Sequence, residues 1–421
     1  MIKLRKIPAF GENFQFKMAN FEMLPNERIV DVALFLPIKN IFSFILTCKR
    51  FNIIIRENEN FWHHKFIQDY KFDIQDSFRT WKFLYKNIRN VWTFGELHLG
   101  DCKIQNHSPV QIFNFTALRV FAGSKTLVML DMKDNVWIGD KFDLSPCKQI
   151  RLSLNLSLKA REVSINNHMI IIDYNNDIWI CGRNNHGQLG LGYKDERNQF
   201  TKISDFKVQQ ASVGREHSTF IDLNNNIWTF GHGQYGQLGL NDDENRNVPT
   251  QILNLKAKEI SAGDNYTILI DLENDLWSFG SNVTGQLGLG NIIRAKIPTR
   301  IPNIKAKQVS AGESHTILID LENNVWTFGN NSFGQLGLGD KENRNTPTQI
   351  PDLKAFQVTA GYNYSVVLDL NHDIWTFGLN RMGQLGLGDN KERIIPTKIS
   401  NIKALQISTS QGCAMLIGTS I

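Results

Sequence analysis

Tryptophan recurs along most of this chain at intervals that few folds can accommodate. Seven of the nine tryptophans are separated by steps of 45, 42, 49, 49, 49 and 49 residues. They are Trp92, Trp137, Trp179, Trp228, Trp277, Trp326 and Trp375. A period of this length is typical of repeat proteins, in which each repeat packs on its neighbours. We therefore interpret residues 91–421 as one repeat domain.

Each repeat is predicted to contain four short β-strands. In the copy around Trp326 these strands are residues 309–312, 316–320, 325–328 and 347–350. Asn323 and Asn324 supply the turn before the third strand, since asparagine tolerates the positive φ of tight hairpin turns. Pro347 places the fourth strand at an exposed outer edge, because proline cannot donate a ladder hydrogen bond. Four-stranded repeats of this size are typical of β-propellers.

The two ends of the repeat region are expected to complete each other. Residues 404–417 supply two inner strands with no tryptophan strand after them, and residues 91–95 form a third strand with no inner strands before it. We predict a mainly β fold, a seven-bladed β-propeller closed by its N- and C-terminal strands. Each tryptophan should pack between neighbouring blades as an architectural anchor.

The glycine pattern of the repeats resembles a known family. Trp326-Thr327-Phe328-Gly329 is followed by Gly334-Gln335-Leu336-Gly337-Leu338-Gly339, and five copies match this pattern closely. The pattern resembles the regulator of chromosome condensation repeat family, which implies a propeller. The Trp92 copy lacks Gly-Gln-Leu-Gly, while the Trp137 copy lacks it too and has Gly139 one place early. These two copies are predicted to be irregular.

Residues 1–90 show a different sequence pattern from the repeats. We divide it into a flexible N-terminus (residues 1–18), a small all-α domain (19–66) and a helical linker (67–90). Leu24-Pro25-Asn26-Glu27 opens a helix, and the apolar residues that follow share one face. The arrangement resembles the F-box, which implies docking onto a Skp-type adaptor of a cullin ubiquitin ligase. The candidate contact positions are Leu24, Pro25, Ile29, Leu36, Cys48, Phe51 and Trp62. Another small helical cap is the alternative.

Charge and cysteine content restrict the classes of partner. Residues 1–90 hold 15 Lys/Arg and 9 Asp/Glu, and the remaining residues hold 31 and 32, so the repeat region carries a net charge of −1. Nucleic acid is therefore not an expected partner. The five cysteines contain no CxxC, and neither a signal peptide nor a membrane span is recognisable. We expect an intracellular, cytoplasmic protein; a nuclear location, and the host cell for a viral chain, are left open.

The candidate catalytic groups favour a structural interpretation. His217 and His315 occupy a repeat position that holds Tyr266 and Tyr364 in sister copies. A position that accepts a larger phenol favours a hydrogen-bonded structural role over catalysis. The repeated acids Asp222, Asp271, Asp320 and Asp369 should satisfy backbone groups in turns. No phosphate loop, HExxH or GxSxG motif is present. We predict no enzyme activity, no catalytic residue, no cofactor and no metal.

The positions that vary inside the repeat are the better candidates for binding. If the repeats are equivalent, the residues after each Ala/Val-Gly surround one face near the axis. The candidate partner-binding residues of this face are Arg215, Glu216, Asp264, Asn265, Glu313 and Tyr362. Variation within a fixed frame suits a recognition surface. The alternative is that these residues are simply solvated loops.

Three functions follow from these interpretations. The first is a non-catalytic substrate receptor of a Skp–cullin–F-box ubiquitin ligase, in which the propeller binds an unidentified target protein. The second is a guanine-nucleotide exchange factor for a small GTPase, as some members of the propeller family are. The known exchange member uses a protruding wedge, for which the 49-residue steps leave no obvious room. The third is a chromatin-binding propeller, which the −1 balance of the repeat region disfavours.

Overall fold

The structure is a computed structural model that describes residues 90–99, 102–123, 126–131, 134–141 and 151–420. All of them belong to one unit, Ile88–Ile421. They form 22 β-strands, and the predicted mainly β fold is confirmed for this part of the chain. The described residues contain no helix that could cross a membrane. The predictions for residues 1–18 and 19–66, including every F-box position, lie outside the described residues. So does the helical linker predicted for 67–90, except at Asn90, which belongs to a β-strand and not to a helix.

The strands follow one recurring order. The chain begins with β1 (Asn90–Leu99), β2 (Cys102–Thr116), β3 (Arg119–Ala122), β4 (Leu127–Leu130) and β5 (Asn135–Lys141). It continues with β6 (Arg151–Ile165), β7 (His168–Asp173), β8 (Asp177–Gly182), β9 (Arg197–Val213), β10 (His217–Asp222), β11 (Asn226–Gly231), β12 (Arg246–Ala262), β13 (Tyr266–Asp271) and β14 (Asp275–Gly280). It ends with β15 (Ala295–Ala311), β16 (His315–Asp320), β17 (Asn324–Gly329), β18 (Arg344–Ala360), β19 (Tyr364–Asp369), β20 (Asp373–Gly378), β21 (Arg393–Thr409) and β22 (Cys413–Ser420).

The long strands connect one strand group to the next. The first half of β18 pairs with β17 (Thr348 opposite Thr327), and its second half pairs with β19 (Val358 opposite Val367). Asp352, with φ of 57°, lies between the two halves. The predicted fourth strand of one repeat and the predicted first strand of the next are therefore a single continuous strand. A short polar residue at positive φ lets the strand change partners without a separate loop.

The chain ends pair as the sequence predicts. Strand β22 pairs with β21 on one side and with β1 on the other, so Leu416 lies opposite both Ile407 and Trp92. Strand β1 thus occupies the place beside β22 that β20 occupies beside β19. The predicted irregularity of the first copy is also observed. Residues 96–99 of β1 pair with residues 102–105 of β2, forming a hairpin where the five close copies have a glycine-rich turn.

The hydrophobic core lies between successive strand groups. One cluster combines Ile221 and Ile227 of one group with Leu269 and Phe279 of the next, and Trp277 packs against it. The predicted packing of tryptophan between neighbouring groups is confirmed at this position. The indoles of the seven repeat tryptophans remain partly exposed, however. In six of the seven, all but Trp92, the polar edge points toward the turn that precedes the tryptophan strand.

That turn contains an interaction that the sequence did not indicate. Asp320 Oδ1 accepts backbone N–H bonds from Glu322 and Asn324, as predicted for a turn aspartate. Its Oδ2 also accepts the indole Nε1–H of Trp326 at 2.9 Å. The same indole–carboxylate bond joins Trp137 to Asp131, Trp179 to Asp173, Trp228 to Asp222, Trp277 to Asp271 and Trp375 to Asp369. The aspartate therefore fixes the turn and orients the tryptophan at once.

Neighbouring groups are also joined near the axis. We call β3 and the second halves of β6, β9, β12, β15, β18 and β21 the inner segments. Ser261 Oγ accepts the backbone N–H of Ala311 at 3.0 Å, and Gln357 Oε1 accepts that of Ile407 at 3.0 Å while its Nε2 donates to the Ile407 carbonyl at 3.0 Å. Equivalent bonds recur at most other steps between inner segments. Each inner segment thus bonds to the next through side chains rather than a ladder.

Removal of one turn carboxylate tests the double role of the aspartate. Asp320→Ala leaves two turn N–H groups and the Trp326 indole without their acceptor. We expect the free energy of unfolding to fall by roughly 2–4 kcal/mol, measured by denaturant titration. Glu322→Ala, in the same turn but exposed, is the matched control and should change it by less than about 0.5 kcal/mol. Equal small losses in both variants would contradict the assigned role.

Candidate binding face

Tight turns at the ends of the inner segments present the candidate residues. Gly263 donates its backbone N–H to the Tyr266 carbonyl at 2.9 Å, and a Cβ at Gly263 would lie 2.1 Å from the Tyr266 ring. The turn therefore requires glycine because a large buried ring lies directly against it. This steric requirement applies to the glycine and not to the two residues after it, Asp264 and Asn265. The same holds for the residues after Gly214, Gly312 and Gly361.

Three of the six predicted face residues come together at one cavity. The inner segments enclose a cavity of about 230 Å³, and Asp264, Glu313 and Tyr362 are among the residues that line it. The rest of the lining is mainly small residues of the inner segments, such as Ser212, Ser261 and others. The cavity therefore has a serine-rich wall. We call Arg215, Asp264, Glu313 and Tyr362, at one end of it, the rim.

The rim residues form a connected polar network. Arg215 Nη1 lies 3.7 Å from Asp264 Oδ2, and the Arg215 backbone N–H donates to the Asp264 carbonyl at 3.4 Å. The Tyr362 phenol lies beside the carboxylates of Asp264 and Glu313, and the Glu313 backbone N–H donates to the Tyr362 carbonyl at 3.3 Å. Asn363 Nδ2 donates to Glu313 Oε2 at 2.8 Å. The repeats thus bring together residues that lie about two repeats apart in sequence.

Asn363 was not chosen as a site residue from the sequence, although it varies between repeats. Its side chain also accepts a bond from Gln335 Nε2 at 3.1 Å, and Gln335 belongs to the Gly-Gln-Leu-Gly turn of the preceding repeat. The signal that could have identified it is its place beside Tyr362 at a variable position. Its amide ties the rim to the glycine-rich turn.

Glu216 and Asn265 lie elsewhere on the face. Glu216 Oε2 is 3.5 Å from His186 Nε2, and the His186 ring lies 4.5 Å from the His232 ring. The Asn265 carbonyl accepts the backbone N–H of Ser281 at 2.9 Å. Neither residue is part of the cavity lining. The six predicted residues are therefore divided between the rim and the surrounding loops.

The pKa values of the rim carboxyls are raised above their ordinary values. Burial raises the pKa of Asp264 to about 7; repulsion from Glu313 adds to this, while Arg215 and the Tyr362 hydroxyl oppose it. Burial also raises the pKa of Glu313. Burial and the two nearby carboxylates raise the pKa of the Tyr362 phenol. The charge on the rim therefore changes near neutral pH.

The buried histidines have the structural role predicted for them. His217 and His315 are fully buried, and their Nε2 atoms lie 3.0 Å from the hydroxyls of Thr267 and Ser365 in the next repeat. Burial lowers the pKa of both imidazoles to about 3, so they are neutral at physiological pH. Tyr364 in the same position donates to the Cys413 carbonyl at 2.6 Å. In this part of the chain no group of three His, Cys, Asp or Glu could hold a metal.

The fold and the rim geometry define a repeat β-protein with a polar axial face. The sequence profile described as "Regulator of chromosome condensation (RCC1) repeat" matches residues 175–221, 224–270, 273–319, 322–368 and 371–417. A second profile of the same description matches residues 306–335. These five matches cover more than half of the chain, and the chain belongs to the RCC1 repeat family. They correspond to the five close copies predicted from the sequence.

Solved structures agree with the family assignment at the level of the fold. Human WBSCR16 is 15% identical with a TM-score of 0.67, and the match covers 79% of this chain and 99% of that one. Prp20p from Saccharomyces cerevisiae is 18% identical with a TM-score of 0.68, covering 80% and 93%. Yeast RCC1 (Prp20) bound to Kap60 gives 18% and 0.68, covering 79% and 89%. No curated protein matches the sequence.

The raised pKa of Asp264 predicts how stability depends on pH. The folded state holds the proton between the ordinary pKa of 3.8 and about 7, so this contribution is fully present below pH 3.8 and is lost as pH rises through 7. Asp264→Asn, which carries no charge, should exceed the wild type in free energy of unfolding by roughly 1–3 kcal/mol at pH 8. The difference should vanish toward pH 4.

Denaturant titration across this pH range checks the prediction. Arg215→Gln is the companion variant, since it removes the guanidinium that lowers the pKa of Asp264. It should move the pH-dependent loss to higher pH. Parallel stability curves for the wild type and Asp264→Asn at every pH would contradict the assignment.

Proposed function

We propose that this chain is a non-catalytic protein-binding adaptor built on a closed seven-bladed propeller. Seven tryptophan strands support the blade number, and the β1–β22 pairing supports closure. Contacts between inner segments run from β3 to β6, β9, β12, β15, β18 and β21 in turn, and β21 contacts β3. The side-chain bonds of Gln406 and Ser408 to β3 support the last of these contacts.

One observation carries the binding role. Within nearly identical repeats the residues after the turn glycine differ, and three of them meet around one cavity. Asp264 is only 8% exposed, yet it keeps a charge-bearing group at the rim. Burial raises the pKa of this carboxyl to about 7 although Arg215 lies beside it, so the pairing does not offset the cost of burial, which favours a role in recognition over a role in folding. The target would be bound at this rim.

The relatives give a precedent for protein binding. Prp20p was described with its binding properties to Gsp1p and histones, and yeast RCC1 (Prp20) was solved bound to Kap60. Those partners belong to Prp20. For this chain they support the general use of the fold as a protein-binding platform.

The finer proposal is that the chain is a substrate receptor of a Skp–cullin–F-box ubiquitin ligase. Its support is the F-box-like pattern that includes Leu24, Pro25 and Trp62, residues that lie outside the described part of the chain. In this role the N-terminal segment recruits the ligase and the propeller holds the target. The chain itself does no chemistry; it raises the local concentration of the target beside the ligase.

A capture experiment with two readouts tests both parts. Full-length wild type, Leu24→Ala/Pro25→Ala and Asp264→Asn/Glu313→Gln are each incubated with a recombinant Skp-type adaptor and with cell extract. The first variant should lose the adaptor and keep the target proteins. The second should keep the adaptor and lose targets, because its rim carries neither carboxylate. If the Leu24/Pro25 variant still binds the adaptor, the ligase role is contradicted. If the Asp264/Glu313 variant still captures the same targets, target binding at the rim is contradicted.

A second candidate function is guanine-nucleotide exchange, and the β1–β2 hairpin favours it. The Glu96 backbone N–H donates to the Gly412 carbonyl at 2.8 Å, so the hairpin starts at the end of the molecule that carries the rim. The hairpin is built from the residues that correspond to the glycine-rich turn of other repeats, so it fits within a repeat of ordinary length. A hairpin beside a binding face is the kind of element that could enter a nucleotide site.

Replacement of this hairpin separates the two functions. Residues 96–105 are exchanged for residues 330–343, the corresponding turn of the Trp326 repeat. If the chain is an exchange factor, the full-length protein should release labelled nucleotide from one member of a small-GTPase panel, and the exchanged variant should lose this release. Absence of release by the wild type from every GTPase would reject this candidate.

A further inference from the structure

The end of the molecule opposite the rim carries a second ring of varying residues. Equivalent hydrogen bonds step from one inner segment to the next at intervals near 50 residues, so the inner segments run in the same direction. The segment from Lys258 to Asp264 spans six residue steps, or about 20 Å. Residues at the starts of the inner segments therefore lie about 20 Å from the rim.

We call the residues that directly precede the bridging Gln/Glu position the basal ring. In chain order they are Leu118, Arg161, Gln209, Lys258, Lys307, Phe356 and Leu405; Leu118 is the exception, since Arg119 stands at the bridging position after it and donates to the Arg161 carbonyl at 2.8 Å. Because the segments contact one another in this order, like residues fall together. Arg161, Lys258 and Lys307 form a basic arc that includes Gln209, and the other three form an apolar arc. The ring is thus divided into two chemically distinct halves.

The basic arc keeps its positive charge. The Lys258 ammonium contacts the side-chain oxygen of Asn274, and the Lys307 ammonium contacts that of Asn323. Arg161 Nη2 donates to the Gln209 carbonyl at 2.8 Å. All of these acceptors are neutral, so the contacts orient the cations without cancelling their charge.

Two buried carboxyls next to the basic arc in the chain offset its charge only in part. Glu162 and Glu259 are the residues that follow Arg161 and Lys258 in the chain. Burial raises the pKa of both side chains to about 7, so near neutral pH they are partly protonated.

The apolar arc is exposed. Phe356 is 46% exposed and Leu118 is 36% exposed, while Leu405 is partly buried. The Phe356 ring lies 5.6 Å from the ring of His372, and Leu370 in the same turn is 47% exposed. In two sister repeats the Phe356 position holds lysine. A phenylalanine that is nearly half exposed where the fold accepts lysine marks this position as part of an interaction surface.

We propose that the basal ring is a second protein-binding surface, and that it takes an acidic peptide segment carrying a large apolar side chain. The basic arc would pair with the carboxylates, and the apolar arc would bury the side chain. A polyanion backbone fits less well, since the repeat region has a net charge of −1 and half of the ring is apolar. This surface is separate from the rim and does not depend on which protein the rim binds.

The sister repeats supply variants that should fold. Lys258→Gln/Lys307→Gln introduces the residue of Gln209, whose Nε2 donates to Asn225 Oδ1 at 2.8 Å and so keeps the contact that the lysines make. Phe356→Lys introduces the residue of Lys258 and Lys307. Thermal unfolding of the full-length variants checks that each remains folded.

The probes are two fluorescein-labelled synthetic peptides, one of Asp and Glu with central phenylalanines and one with alanines in their place. Fluorescence anisotropy should show that Lys258→Gln/Lys307→Gln weakens both peptides by about tenfold or more. Phe356→Lys should weaken only the phenylalanine peptide. Asp264→Asn, at the rim, should leave both affinities unchanged.

Three results would overturn the proposal. The first is wild-type binding no tighter for these peptides than for a neutral peptide, and the second is binding unchanged in both basal-ring variants. The third is equal or tighter binding of a single-stranded RNA or of vesicles rich in anionic lipid, which would show a polyanion surface instead.

Discussion

The hydrogen bond between six of the seven repeat tryptophans and the aspartate six residues before each of them is the interaction on which the strand groups depend. The carboxylate closes the hairpin turn with one oxygen and orients the indole with the other, as at Asp222 and Trp228. The oriented indole then packs against apolar residues of the adjacent group. One residue therefore links local turn geometry to packing between repeats. Trp92 follows an inner strand from the other end of the chain and instead donates to the Gly418 carbonyl at 3.3 Å.

Because the turns and the middles of the strands make the structural bonds, the residues at the ends of the inner segments can vary. Structural positions carry serine, glutamine, glycine and the buried His/Tyr, and these make the bonds from one segment to the next. The residues immediately outside that set differ from repeat to repeat. At one end they give Arg215, Asp264, Glu313 and Tyr362, and at the other end they give the basal ring. The two ends thus carry different side chains on the same frame.

Much of this fold follows from the sequence, for reasons that are local. Tryptophan spacing, asparagine turns and turn aspartates act within one hairpin, so their pattern predicts the strands and the role of residues such as Asp320 and His217. The continuity of β18 was not predictable in the same way. Pro351 and Asp352 are typical of a break, and only pairing with two different partners makes the strand continuous. The hairpin after Trp92 was missed because it is recognisable only through the absence of a motif.

The candidate site was predictable as a set of positions but not as a constellation. Asp264, Glu313 and Tyr362 occupy the same position in three successive repeats. Repeat symmetry alone would place them at equal separations, without contact among them. Their meeting depends on the reach of a tyrosine from one repeat toward carboxylates of two others, in a space whose width is set by the side-chain bonds between inner segments. The same argument explains why Asn363 joins the network and Asn265 does not. A repeat therefore reveals which residues are free to function, and the distances between repeats determine which of them can act together.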